Sequence, residues 1–314
     1  MSKLLRYAVS IALLGLVVWL ADVRAIAATL RSVQPGWVLA ALALALLDRI
    51  VLNFRWQALL EPRGVHVEFW PLLKVQLAAN FLGSFLPSSI GVDAIRISAL
   101  RARGEVTANV VAATLVDRFS LVLATFVFGS ITIVLFASTR LPEGVARLVL
   151  VATAIGLGVT ALLASGRFRH VLSRLLLARL SPRVRGLIME ISAATLSYRS
   201  EPSAWAKVLV ATIAAFGVRI AFAKAVALSC GFDLALSGLL VLIPILWILV
   251  MVPITIGGIG VQDAGYVALL GMLGVPAAAA VSMSVIEHLV ARLAALPGVL
   301  YIGEIGRREG PVRQ

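Results

Sequence analysis

The sequence predicts an all-α, polytopic transmembrane helical bundle carrying two re-entrant hairpins of broken helix. Three observations lead there. Apolar residues make up 61% of the 314 positions and charged residues only 14%, against about 45–50% and about 25% in soluble domains. Mean hydropathy is +1.03, and the apolar residues collect into stretches of span length, since hydrocarbon about 30 Å thick takes roughly 20 residues of helix. The basic residues, finally, fall on one side of those stretches.

The stretches are 7–21, 37–54, 107–137, 148–165, 205–229 and almost all of 238–302. The last contains only three charges, Asp263, Glu287 and Arg292. The first follows Lys3 and Arg6; with so many apolar stretches behind it, it reads as a retained helix rather than a cleaved signal peptide. Net charge is +13, which in a soluble protein would raise nucleic acid as a partner. Here position decides: segments 1–6, 55–70, 94–106, 166–204 and 303–314 hold 17 Lys and Arg, and segments 21–36, 138–147 and 230–237 hold 4. That is the positive-inside bias. It places both termini in the cytosol and argues against nucleic acid.

The chain reads as one integral membrane domain over 1–314. A basic cytosolic connector, 166–204, divides it into halves 1–165 and 205–314. Within the connector Val171, Leu172, Leu175, Leu176 and Leu180 share a helical face ringed by Arg169, Arg174, Arg179 and Arg183. Such a helix can lie on anionic headgroups, although a solvated basic linker reads the same way.

Each half breaks its helical pattern once. In the first, Pro87 and Gly91 interrupt an apolar run before Asp93 and Arg96; in the second, Pro253, Gly257, Gly258 and Gly260 precede Asp263. Charge bias makes 71–100 enter and leave from the cytosol and 238–275 from outside. The halves then read span, hairpin, span in opposite orientation, which suggests an inverted repeat with its site near the midplane. Backbone N–H groups freed at a half-helix start attract anions. Arg96, one turn from Asp93, offers a planar fork for a phosphate. The bland alternative is that Asp93 caps a helix and Arg96 reaches for the cytosol. The glycines 257, 258 and 260 allow close backbone approach, and a lone carboxylate at the depth of Asp263 marks a functional position, with helix capping as its alternative.

Asp117 and Arg118 are neighbours about 100° apart on a helix, so they are not expected to pair with each other; Arg118 either pairs with Asp93 or lies near the cytosolic end, as a structural ion pair or as a substrate contact. Glu287, His288 and Arg292 share a helix and read as a mutually satisfied set, with proton relay through Glu287 and His288 as the functional alternative. Asp48, Arg49 and Arg219 add candidate partners, and Lys224 is the favoured cation for a headgroup phosphate. Phosphate-binding loop, zinc and nucleophile-elbow signatures do not occur; His66, His170 and His288 are scattered and Cys230 stands alone. Neither catalytic residues nor a metal or cofactor is expected.

Taken together, Asn80-Phe81-Leu82, Leu86-Pro87, Gly91, Asp93 with Arg96, Asp117-Arg118, and Pro253 through Gly257-Gly258-Ile259-Gly260 to Asp263 resemble the flippase-like membrane region of the bacterial lysylphosphatidylglycerol synthase family. The family usually has Pro-Gly and Gly-Glu where this chain has Pro87-Ser88 and Val92-Asp93, and Arg-Glu where it has Gln262-Asp263. The resemblance implies a lipid translocase of the bacterial cytoplasmic membrane, not an enzyme, whose lipid passes Asn80, Pro87, Gly91, Asp93, Arg96, Arg118, Gly257, Gly258, Gly260 and Asp263, to which the reading of the fifth apolar stretch adds Lys224. The expected partner is a membrane phospholipid or other anionic lipid, and a second copy of the chain or a cytosolic lipid-modifying enzyme is compatible. Passive scrambling and proton coupling both fit the residues. The alternatives are a membrane-embedded transferase acting on phospholipid or polyprenyl-phosphate, and a scaffold for a cytosolic synthase.

Overall fold

The computed structural model describes residues 28, 31–84, 90–136, 143–164, 197–251 and 260–305. Among them the regular structure is helical throughout. The first apolar stretch, most of the connector, Pro87, Gly257 and Gly258 lie outside the described residues. We number the helices α1 Pro35–Leu60, α2 Phe69–Gly83, α3 Ile90–Ala102, α4 Thr107–Leu135, α5 Glu143–Ala164, α6 Pro202–Ser229, α7 Leu236–Met251, α8 Val261–Gly271 and α9 Ala277–Ala295.

Among the described residues, four helical stretches are long and apolar enough to cross a membrane: Pro35–Arg63, Thr107–Leu135, Pro202–Ser229 and Ala277–Gly303. At 27 to 29 residues each, they reach about 40 Å, more than the hydrocarbon thickness. Their side chains are sorted inside out relative to a soluble helix. On α1, Leu39, Leu47, Ile50 and Phe54 face outward while Ala41, Asp48, Asn53, Arg55 and Trp56 are buried. Lipid tails are as apolar as leucine, so helices associate through small and polar residues instead. The polar contents of α1 are therefore turned into the protein.

The remaining described helices are shorter. Among them α2, α3, α7 and α8 have 15, 13, 16 and 11 residues, so each rises only about 17–24 Å. They pair as α2 on α3 and α7 on α8, joined through the two segments where sequence predicts interruptions. The packing is reciprocal between the halves: α1 lies along α6, α2 lies against the end of α9, and α7 lies against α4.

The contact of α2 with the chain after α9 depends on one glycine. Residues Leu296–Glu304 form a 3-10 helix laid directly on α2. A Cβ added at Gly298 would stand 2.2 Å from the Leu77 carbonyl oxygen, and backbone cannot rotate away as a side chain can. Gly298→Ala is expected to lose about 1–3 kcal/mol, the usual cost of overpacking. Gly303→Ala, with nothing within 4 Å of its added Cβ, should be neutral. Thermal unfolding of the detergent-solubilised variants checks both.

The turn Ser197–Ser200 fastens the entry to α6. Tyr198 is buried, donates its hydroxyl to the Leu59 carbonyl and has the Arg63 guanidinium 4.4 Å over its ring. Burial pushes its phenol up, so it remains a donor through the physiological range.

Candidate functional site

Charged side chains meet where the first short-helix pair abuts the spans. Asp93 lies in the first turn of α3 and accepts from Arg118 of α4, whose Nε stands 2.9 Å away. Arg96, one turn on, is 5% exposed, so it does not reach out to the cytosol. Its guanidinium lies 3.8 Å over the Trp56 ring. Its Nη1 is 3.4 Å from Asp93 Oδ1 and 3.5 Å from Asp117 Oδ2, longer than the ~2.7–2.9 Å of a tight charge-assisted bond. Its Nε meets no acceptor among the described residues.

Beneath Arg96 the Arg55 guanidinium is fully enclosed. Nη1 donates to the Asp117 carboxylate and, at 2.9 Å, to its carbonyl; Nε reaches Thr212 Oγ1 at 3.0 Å; Nη2 reaches Ser120 Oγ at 2.6 Å. Three guanidiniums thus share two carboxylates, leaving one formal positive charge among these five groups. Arg55 is tightly held. Arg96 is loosely held.

The second pair supplies a carboxylate. Gly260 precedes α8 with φ 87°, a left-handed conformation open to glycine at no steric cost. Its N–H donates to Asp263 Oδ2 at 2.8 Å, the reaching-back half of a capping box. Capping is only part of the role of Asp263. Ser284 of α9 donates to its Oδ1 at 2.6 Å, and His288 Nε2 stands 3.5 Å from the same oxygen. The adjacent Glu287 points elsewhere and accepts from the Tyr266 hydroxyl.

A pocket of ≈ 170 Å³ is walled by α1, α6, α7 and α9 and lined by Asp48, Arg49, Arg219, Trp247 and Glu287 among others. Arg219 holds Asp48 at 2.7 and 3.4 Å and lies 4.5 Å over the Trp247 ring. α1 therefore brings Asp48 and Arg49 to the pocket and Arg55 to the first cluster. α9 brings Glu287 to the pocket and His288 to Asp263.

The family model described as the lysylphosphatidylglycerol synthase TM region matches residues 4–298. The chain belongs to that family. No curated protein matches it. As a member of the lysylphosphatidylglycerol synthase TM region family with four span-length apolar helices among its described residues, it is a multi-pass integral membrane protein.

The other residues singled out from the sequence are dispersed. Gly91 is half-buried in the first turn of α3. Asn80 lies on α2 with its Nδ2 buried and without an acceptor among the described residues. Lys224 is turned away from the pocket: it binds Asp233 and the Leu234 carbonyl just past the end of α6. Glu287, His288 and Arg292 do not satisfy one another through their side chains. Glu287 goes to Tyr266, His288 to Asp263, and Arg292 donates to the His288 carbonyl at 3.3 Å. The ~100° between successive helical residues separates the first two.

Sequence reasoning missed Arg55. The charge count assigned it to a cytosolic segment, whereas α1 continues to Leu60 and a 3-10 turn carries it to Arg63. A local signal existed: Asp48, Asn53 and Arg55 within one apolar helix, where each polar group needs an internal partner.

Proposed function

We propose that this protein is a translocase that moves a phosphate-bearing lipid between the leaflets of the bacterial cytoplasmic membrane, with both termini in the cytosol. The observation that carries the reading is the cluster of Arg55, Arg96 and Arg118 around Asp93 and Asp117. It holds one surplus positive charge, and the carboxylate contacts of Arg96 among the described residues are long, at 3.4 and 3.5 Å. A phosphate arriving there can take the Arg96 fork without first breaking a short ion pair.

The short lengths of α2, α3, α7 and α8 favour two re-entrant hairpins, and the reciprocal packing of the halves favours an inverted repeat. In this reading the headgroup passes from the Arg96 cluster to the midplane pocket and on to Asp263, while the acyl chains stay in lipid. The polar groups spare the headgroup the ~2.5–3.5 kcal/mol or more that a charge incurs at the bilayer centre. The chain acts on the lipid without chemistry, as a membrane-embedded carrier.

Reconstituted liposomes with a leaflet-specific headgroup label test this. Wild type is expected to expose labelled phospholipid from the inner leaflet. Arg96→Ala and Asp263→Asn should each slow exchange by about tenfold, the loss of one charge-assisted contact. Equal rates in wild type and both variants would contradict the path, and the absence of exchange in wild type would contradict the function.

A further inference from the structure

The pocket among α1, α6, α7 and α9 has the features of a binding site in its own right. Asp48 and Arg49 stand near the midpoint of Pro35–Arg63, and Glu287 stands near that of Ala277–Gly303. Ionisable side chains at such depth are expensive and mark function by default. An ion pair needed only for packing would be closed off, with each donor matched. Here the pocket volume of ≈ 170 Å³ is well above the ~15 Å³ that admits one water.

The charges within it are unequally satisfied. Arg219 makes a two-pronged pair with Asp48, at 2.7 and 3.4 Å, and rests on Trp247. Arg49 has only a 3.5 Å approach of its Nη1 to the same Asp48, and its buried Nε meets no acceptor among the described residues. Across the pocket Glu287 is engaged by Tyr266. One carboxylate thus serves two guanidiniums, and the Arg49 fork is short of an anion.

We propose that this pocket binds a phosphate group, with Arg49 as the receiving cation, Arg219 as the second, and Asp48 occupying the place of the phosphate in its absence. The inference rests on the translocase reading for the lipid as carrier of that phosphate, and a soluble phosphate would satisfy the same contacts. It deepens that reading by giving the midplane station its ligand chemistry. Arg49 and Arg55 are six residues apart on α1, about 9 Å along the axis, so the two arginine groups form successive stations along one helix.

The full chain, purified in a non-ionic detergent, is titrated calorimetrically with three probes: a short-chain phosphatidylglycerol, the matching diacylglycerol lacking phosphate, and glycerol phosphate. Binding of the first but not the second is expected. Comparable binding of glycerol phosphate would identify a soluble phosphate as sufficient, and weaker binding would identify the lipid. Arg49→Gln should weaken binding about tenfold, as for loss of a charge-assisted contact. Arg49→Lys, keeping the charge without the fork, should weaken it about threefold. Asp48→Asn should strengthen binding, because it removes the internal competitor. A purely structural ion pair would give no such gain.

Unchanged binding in Arg49→Gln, weaker binding in Asp48→Asn, or equal binding of the phosphate-free lipid overturns the proposal. Unfolding midpoints of the same samples separate misfolding from loss of the site. Because equilibrium binding requires no transport, a wild type that binds as expected but does not exchange lipid would defeat the translocase reading and leave the pocket assignment standing. Exchange unaffected by Arg49→Gln together with unaltered binding would do the reverse.

Discussion

Asp117→Ala is expected to destabilise the protein by about 3–5 kcal/mol, the cost of leaving a buried charge without its partner. The Arg55 side chain is 1% exposed and cannot reach water when its carboxylate is removed. Thr212 and Ser120 would still accept from Nε and Nη2, but neither carries charge. Arg96 would also lose one of its two carboxylates. Against a typical total of about 5–15 kcal/mol, that loss should show as a large drop in folded yield and unfolding midpoint. Arg55→Met combined with Asp117→Leu removes both charges and fills the space, so much of the loss should be recovered. An Asp117→Ala protein that unfolds like wild type would show that Arg55 is solvated in the native state. No recovery in the double variant would show that the contacts to Thr212 and Ser120 dominate.

Hydrocarbon thickness made the span-length helices legible, because it forces a length and a composition on each of them. The two expected interruptions, at Pro87 and at Pro253 through Gly258, fall outside the described residues. Local rules turned Arg118 away from Asp117 and left Asp93 as one of two destinations, the one the structure shows. The rest was hidden by distance along the chain. Arg55 and Asp117 are 62 residues apart, and Asp48 and Arg219 are 171 apart. Each side chain read alone gives only a candidate, and the charge count drew Arg55 into the cytosol. Lys224 shows the converse. Its depth in the apolar stretch suggested a headgroup contact, but Asp233, just beyond the end of the helix, lies within reach.

Trp56→Ala is expected to have the next largest effect, with a second consequence for Arg96. The ring is fully buried, so its removal should lose about 3–5 kcal/mol through the transfer and cavity terms together. The Arg96 guanidinium would also lose the face on which it rests at 3.8 Å. Trp56→Phe separates the ring from its nitrogen. Nε1 of Trp56 is buried and has no acceptor among the described residues, so phenylalanine sacrifices no hydrogen bond and keeps a π face. It should fold nearly as well as wild type and retain lipid exchange. Trp56→Leu separates packing from the cation–π contact. It fills part of the volume but offers no quadrupole, and a partly buried contact of this kind is worth about 1–2 kcal/mol. Leucine should therefore fold better than alanine yet exchange lipid several-fold more slowly than phenylalanine, because Arg96 is no longer held flat. Unfolding midpoints and liposome exchange measured on the same three proteins decide it. If leucine and phenylalanine exchange lipid equally, Trp56 is packing alone, and Arg96 is oriented by Asp93 and Asp117 without the ring.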